Sequence, residues 1–442
     1  MAMKASYIIY ILFILLPNVV TMAQSVESDE LFSKGVHLYN MKKYKEAIPI
    51  FQESDRLDKI EMDSTHNRQD YSAMWLASCH YQLGDEKQAQ KISPYYYKLS
   101  PIDRRLTIQS DSLSALADKA FEHQDYTKAL KLYKQCDAIE ATILGKNHIW
   151  RMTTIANEGY CYSQLSDSTN AIKCFEAHQA ACQQLYNLEC DAAMNTLFAL
   201  GHEYYNHQFE NHYPKALNAY FQAYELAKNL NDSINYNSSL YCISLCYFSQ
   251  SQENNGDEQG KYLENAEVFV RELRNDNEED RYLKNLIYDN LANFYNKKSE
   301  EYLQDSITLQ QALDYSQKAL ETYQKKPDAD QGVKRLLEIY KMDCLIRSNK
   351  IQEAIELGED LYAAFLPIRQ QESENYQTLL QNLSYSYKVL GNEEKNIFYL
   401  NLLSTSYTQS NQTQNEKILD VFYELSQAYY RTCLLYTSDA AD

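Results

Sequence analysis

A small residue recurs along the first half of this chain at a nearly fixed interval. Gly35, Ala77, Ala117, Gly159 and Gly201 follow one another at steps of 42, 40, 42 and 42 residues, each inside a segment with apolar side chains at helical spacing. Self-similarity at such a period marks a solenoid, because one short unit cannot bury its apolar face alone and must stack on its neighbours. Smallness at the recurring position has a physical reason: where one helix of a pair crosses its partner closely, only glycine or alanine leaves room for a knob from the facing helix. In the first unit Leu31, Lys34, Gly35 and Leu38 form one helical face. Tyr44, Ala47, Phe51 and Ser54 form the next, with Phe51 placed to fill the gap.

Composition agrees. Ten Gly and seven Pro among 442 residues leave few turn-formers, which favours long helices joined by short loops. Sixty-one acidic against 42 basic residues give a formal charge of -19. Such a field repels phosphate backbones and anionic lipid, so neither nucleic acid nor a membrane surface is expected as a partner.

The unit repeats with recognisable variation. The second copy has Leu76, Ala77, Tyr81 (one place late), Gly84-Asp85 at the turn, Ala89, and Pro101 as terminator. The third has Leu116, Ala117, Asp125-Tyr126, Ala129 and Tyr133; the fourth has Ile155, Gly159, Tyr162, Asp167, Ala171 and Phe175. The fifth has Leu200, Gly201, Tyr204, Ala216 and Tyr220. Later copies loosen. Leu240 and Tyr247 pair with Ala266 and Val270 across a polar insert, Ser249 to Gly260; Asn290 to Tyr295 pair with Ala312 and Ala319. Leu345, Ala354 and Leu361 mark an eighth unit, Leu380, Leu383 and Gly391-Asn392 a ninth, and Phe422, Leu425 and Tyr429 the first helix of a tenth.

This pattern resembles the tetratricopeptide repeat, whose helix-turn-helix carries Leu-Gly-x2-Tyr, then Ala-x3-Phe. The resemblance implies an all-α, right-handed superhelical solenoid of antiparallel helix pairs, about nine and a half repeats long. It covers residues 24–432, better matched over 28–230 and divergent over 231–432. A period near 42 rather than 34 adds about a turn to each helix, as in kinesin light chains. Leu144-Gly145-Lys146-Asn147-His148 is similar to their linker, with Ile149 where they carry Pro.

The two termini read differently. Lys4, the apolar run Tyr7 to Leu16 and Thr21-Met22-Ala23 read as a cleaved signal peptide over residues 1–23, with a retained N-terminal anchor as the alternative, and imply export to the periplasm or cell surface. Residues 433–442, CLLYTSDAAD, read as one translated frame of a common transposon sequencing adapter and are expected to be a non-native tail, with the natural product continuing beyond Thr432. Discounting Cys433 leaves nine cysteines and no CxxC spacing, so they are expected as small apolar side chains at helix contacts, with Cys161 and Cys174 the nearest to a disulfide pair.

Chemistry-bearing motifs do not emerge. There is no phosphate loop, HExxH or GxSxG. Asp276 to Asp280 (DNEED) lacks a calcium loop's Gly and is expected as a solvated loop. His202, His207 and His212 stand five apart, which puts successive imidazoles off any one helix face, so no metal and no cofactor is expected.

In the family the first helix of each pair lines a groove that binds peptides. Carried over, that face is Tyr39 and Asn40, then Trp75 (with Met74) and Tyr81, then Phe121 (with Asp118 and Glu122), then Asn157 and Tyr160 (with Gln164). It continues with Phe198, His202, Tyr205 and Asn206, and later with Asn290 and Asn293 (with Asn296). Aromatics beside amides suit a polypeptide partner. The sequence reads as an exported, non-catalytic interaction scaffold. The alternative is the sensory or regulatory region of a larger protein whose output (a caspase-like peptidase, histidine kinase or DNA-binding domain) lies elsewhere.

Overall fold

The computed structural model describes residues 26–61, 69–93, 101–144, 149–186, 191–206, 212–274, 277–305, 307–409 and 416–439. The expected signal peptide, most of the Leu144–His148 linker, His207 and residues 440–442 lie outside them. Among the described residues there are nineteen helices and no strand. The chain divides into two compact units, Met1–Asn235 and Tyr236–Asp442.

The first unit holds five helix pairs: α1 (Val26–Asn40) with α2 (Tyr44–Glu61), α3 (Gln69–Gln82) with α4 (Glu86–Ile92), α5 (Pro101–Glu122) with α6 (Tyr126–Ile143), α7 (Ile149–Gln164) with α8 (Ser168–Tyr186), and α9 (Asp191–Asn206) with α10 (His212–Asn229). The second unit begins within α11 (Ser233–Glu253), paired with α12 (Gly256–Val270). It continues with α13 (Glu278–Tyr302) and α14 (Leu309–Gln324), α15 (Gln331–Arg347) and α16 (Ile351–Phe365), α17 (Ser373–Val389) and α18 (Glu393–Gln409), and ends in the unpaired α19 (Glu416–Asp439). Second helices also pack on the first helix of the following pair, as α2 on α3, α6 on α7, α14 on α15 and α18 on α19. First helices touch one another too: α1 with α3, α7 with α9 and α15 with α17.

The recurring small residues sit at the crossings. A Cβ on Gly35 would lie 2.6 Å from the Phe51 ring, and one on Gly159 would lie 2.7 Å from the Phe175 ring. Gly201 abuts Tyr220 in the same way, and Ala77 and Ala117 are fully buried. Phe51 and Phe175 are fully buried knobs. The described cysteines are all free and buried except Cys174, which is half-buried, so Cys161 and Cys174 form no bridge. No helix among the described residues is long and apolar enough to cross a membrane.

Three expectations need correction. Pro101 opens α5 rather than closing the second unit; at a helix's first position its missing N–H has no intrahelical partner to lose. The polar insert Ser249 to Gly260 is nearly all helix, because α11 runs to Glu253 and α12 starts at Gly256. The acidic run is a helix start: the Asn277 side chain accepts from the Asp280 N–H at 2.7 Å, and Glu278, Glu279 and Asp280 occupy the favourable first turn of α13. Asp280 is buried, its carboxylate receiving the Asn237 amide at 2.9 Å.

Turns repeat as faithfully as crossings. Lys42, Gly84, Gln124, Ser166, Asn349 and Gly391 all have φ between 59° and 85°. Each stands seven residues after the crossing position of its pair (35, 77, 117, 159, 342 and 384). The next residue serves two helices. Asp85, Asp125, Asp167 and Asn392 donate their N–H to a carbonyl five residues back, at 2.9–3.0 Å, closing the first helix. Their side chains then accept from the N–H three residues on, at 3.1–3.2 Å, opening the second. Three of these six left-handed positions, Lys42, Gln124 and Ser166, carry a side chain that strains there, while Asn349 and the two glycines tolerate it. Ser166→Gly is therefore expected to stabilise by about 0.5–1 kcal/mol and Gly391→Val to destabilise by about 1–2 kcal/mol in urea unfolding.

Candidate protein-interaction face

The turn register defines the exposed edge of the first helices. In the first unit their last turns read Tyr39-Asn40, Tyr81-Gln82, Phe121-Glu122, Ser163-Gln164 and Tyr205-Asn206, again 42, 40, 42 and 42 apart. One turn earlier on the same face stand Val36, Ser78, Asp118, Tyr160 and His202. Five helices thus carry an amide or carboxylate at one equivalent position, next to an aromatic ring in four of them.

The two columns have different environments. Gln82, Glu122 and Asn206 are exposed and Gln164 is half-buried; the Asn40 side chain lies outside the described ones. The rings instead close turns. Phe121 lies edge-on to Tyr126 at 5.1 Å, and Tyr205 to Tyr213 at 6.1 Å. Tyr81 lies beneath the Arg104 guanidinium at 4.5 Å. Each keeps a half-exposed edge.

Tyr39 and Trp75 do not face solvent as expected. Trp75 is 1% exposed, stacked on Phe51 at 5.7 Å with the Tyr39 ring edge-on at 5.0 Å. The Tyr39 hydroxyl hydrogen-bonds Ser78 at 2.8 Å, tying α1 to α3. These two residues form the aromatic core of the first two pairs, which leaves no side-chain surface for a partner.

The other expected positions differ in environment. Tyr160 tilts against Phe175 at 5.0 Å and Phe198 against Tyr220 at 6.4 Å, both half-buried. His202 Nδ1 is 3.0 Å from the Tyr220 hydroxyl, and burial pushes its pKa down to about 4, so the ring is neutral at pH 7. Asn157 is half-buried on α7. In the second unit the Asn290 amide donates to its own helix at the Leu286 carbonyl, 2.8 Å, while Asn293 is exposed. A cleft of about 240 Å³ lies between α13 and α15, beside Asn296, Tyr340 and Cys344; Arg347 at its rim is held by Asp343 at 2.9 Å.

Gln82 was not among the expected positions. Tyr81 is one place late against Tyr162 and Tyr204, but it matches Tyr39, each three residues before the left-handed residue (Gly84 and Lys42), and Gln82 then falls in the amide column. The signal was the Gly84-Asp85 turn.

The face is neutral to acidic. Asp118 accepts a hydrogen bond from the Tyr133 hydroxyl, and the Ser163 hydroxyl donates to Glu203, joining α7 to α9. Behind the face, Glu158 holds a position where neighbouring pairs carry Leu76, Leu116 and Leu200. It is 8% exposed, and burial, reinforced by Asp137, raises its pKa to about 7 against the pull of Lys134 and Arg151. A carboxyl with a raised pKa binds its proton more tightly when folded, so stability falls as pH rises from about 4.5 to 7. Glu158→Gln is expected to stabilise by about 1–3 kcal/mol at pH 8 and by almost nothing at pH 4.5, read by thermal unfolding at both values.

No family model matches the sequence, and none of the curated proteins does. Solved structures give low-identity likenesses. Aspartyl phosphate phosphatase F from Bacillus subtilis is 13% identical over 92% of this chain and 94% of its own, with a TM-score of 0.42. BtubC (BKLC) from P. vanneervenii is 17% identical over 66% and 93%, with a TM-score of 0.34. The C-terminal part of a TPR repeat-containing protein from Cytophaga hutchinsonii is 13% identical over 69% and 98%, with a TM-score of 0.30. No residue role is carried over from them. The fold itself, antiparallel helix pairs with small residues at their crossings, is tetratricopeptide-like.

Proposed function

We propose that this chain is an exported, non-catalytic scaffold that captures a polypeptide segment along the first helices of the unit Met1–Asn235. The observation that carries the reading is the column Gln82, Glu122, Gln164 and Asn206, held at one helix position beside half-exposed Tyr81, Phe121 and Tyr205. A side-chain amide both donates and accepts, which is what an extended peptide backbone requires, and it does so without regard to the peptide's own side chains. The neighbouring ring edges add apolar area at low entropic cost. Asp118 and Glu122 on the face, within a chain of charge -19, favour a neutral or basic segment over an acidic one. Export is supported by Lys4, the apolar run Tyr7 to Leu16 and Ala23.

The test is selection from a random twelve-residue peptide display library with the purified chain. Neutral-to-basic peptides are expected to be enriched. Replacing Gln82, Glu122, Gln164 and Asn206 together by Ala should weaken the selected peptides at least about tenfold while leaving the melting temperature within about 2 °C, because surface changes of this kind touch no core contact. Unchanged affinity in the fourfold variant, or enrichment of acidic peptides, contradicts the reading.

A further inference from the structure

In the second unit, α13 overruns the point at which other first helices turn. Leu291-Ala292-x2-Tyr295 repeats the Leu200-Gly201-x2-Tyr204 of the fifth pair, which puts the crossing of the seventh pair at the buried Ala292. In six other pairs a left-handed residue follows seven positions after the crossing. Here that position is Ser299, and the helix continues to Tyr302. Ser299 is buried; its hydroxyl donates to the Ala312 carbonyl of α14 at 2.7 Å and meets the Cys344 thiol of α15 at 3.2 Å. These contacts hold the added turn beside α15, where it forms a wall that the six turning pairs do not build.

The cleft of about 240 Å³ opens between that wall and α15. Leu303 and the buried Cys344 give it an apolar floor. Asn296 and Glu300, one helical turn apart, line one side; Tyr340, Asp343 and Arg347 share a face of α15 and line the other. Pockets that hold whole small molecules run to roughly 300–1,000 Å³, so this one is sized for a single side chain. Its hydrogen-bonding capacity is one-sided. The Asn296 amide donates to Glu300 at 3.0 Å, the Ser299 hydroxyl is spent on Ala312, and Arg347 Nε donates to Asp343 at 2.9 Å. Beyond those bonds Glu300 and Asp343 each retain a carboxylate oxygen, and Asn296 retains its carbonyl oxygen. Arg347 stands at the rim with its side chain 55% exposed, and the Tyr340 ring is 37% exposed.

We propose that this cleft receives the guanidinium of an arginine side chain on a polypeptide partner. Arginine brings five donors and no acceptor, which suits a site whose remaining groups accept. Its planar fork can engage carboxylates on two walls at once and stack on the Tyr340 ring, whereas a lysine ammonium is a point charge. The aliphatic stem then lies along Leu303 and Cys344. An acidic side chain meets two carboxylates and is repelled. Asp343 already holds a guanidinium, that of Arg347, which makes Arg347 the internal competitor for the site. The inference is independent of the peptide-capture reading, since α13 and α15 belong to the other unit and Gln82, Glu122, Gln164 and Asn206 take no part.

The probe is N-acetyl-arginine amide, titrated onto the full chain by saturation-transfer NMR at about 0.15 M salt, where long-range attraction is screened. Binding is expected in the low-millimolar range, at least about threefold tighter than for N-acetyl-lysine amide, with none for N-acetyl-glutamate amide. Glu300→Gln should weaken the arginine probe at least about fivefold and leave the melting temperature within about 2 °C. Arg347→Gln should tighten it at least about twofold, because Asp343 is released. Replacing the exposed Glu353 and Glu356 of α16 together by Gln removes more charge away from the cleft and should change binding by less than about 1.5-fold. The fourfold alanine variant of the first unit should bind the probe as the parent does. No binding of the arginine probe, equal binding of the lysine probe, or indifference to Glu300→Gln overturns the proposal. So does weaker binding in Arg347→Gln or in the first-unit variant, or a loss in the α16 variant as large as that in Glu300→Gln, for the attraction is then not the cleft's own.

Discussion

Close helix crossing is the constraint from which the remaining features follow. Two helices that approach until a glycine Cα meets a phenyl ring leave room for one large side chain and one small one. The small one comes from the first helix in most pairs, as Gly35 against Phe51 and Gly159 against Phe175. The eighth pair inverts the assignment: Met342 occupies the small position, and Gly358 stands where Phe51 and Phe175 stand elsewhere, with an added Cβ only 2.7 Å from the Met342 methyl. What repeats is therefore the filled volume of the joint, not the identity of either residue.

Turn geometry transmits that register to the surface. The left-handed residue lies seven positions after the crossing in six pairs, and in four of them the following residue ends one helix while its side chain caps the next. With crossing and turn both fixed, the last turn of each first helix has one allowed orientation. The amide column and the ring column inherit their alignment from the core. A surface ladder on independent loops would drift in phase from unit to unit; this one does not, because a slip of one residue would drive a Cβ into Phe51 or Phe175.

Much of this was legible in the chain because crossings demand small residues and turns favour Gly, Asn and Asp, and both leave marks at a constant interval. The five pairs of the first unit follow from that interval, while the later pairs among the described residues were read from looser spacing. What was illegible has physical reasons. Trp75 and Tyr39 sit on first helices at places that face solvent in a single pair, and the packing of α3 against both α1 and α2 buries them. The run DNEED is polar enough to suggest a loop, yet Asn277 caps and three acids suit a helix N-terminus equally well. The eighth pair was recognisable by Leu345, Ala354 and Leu361 but not by its joint, since a methionine at a crossing gives no sign until its glycine partner is found. Gln82 was missed because aligning Tyr81 with Tyr162 rather than Tyr39 displaces the whole last turn.

A double-mutant cycle on Gly159 and Phe175 tests the crossing directly. Gly159→Leu overpacks the joint and Phe175→Ala empties it, and each alone should destabilise by about 2–5 kcal/mol in urea unfolding. If shared volume governs the pair, the double variant loses at least about 2 kcal/mol less than the sum of the two. Losses that add within about 0.5 kcal/mol would mean the residues act independently, and the crossing would not be the constraint on which this fold depends.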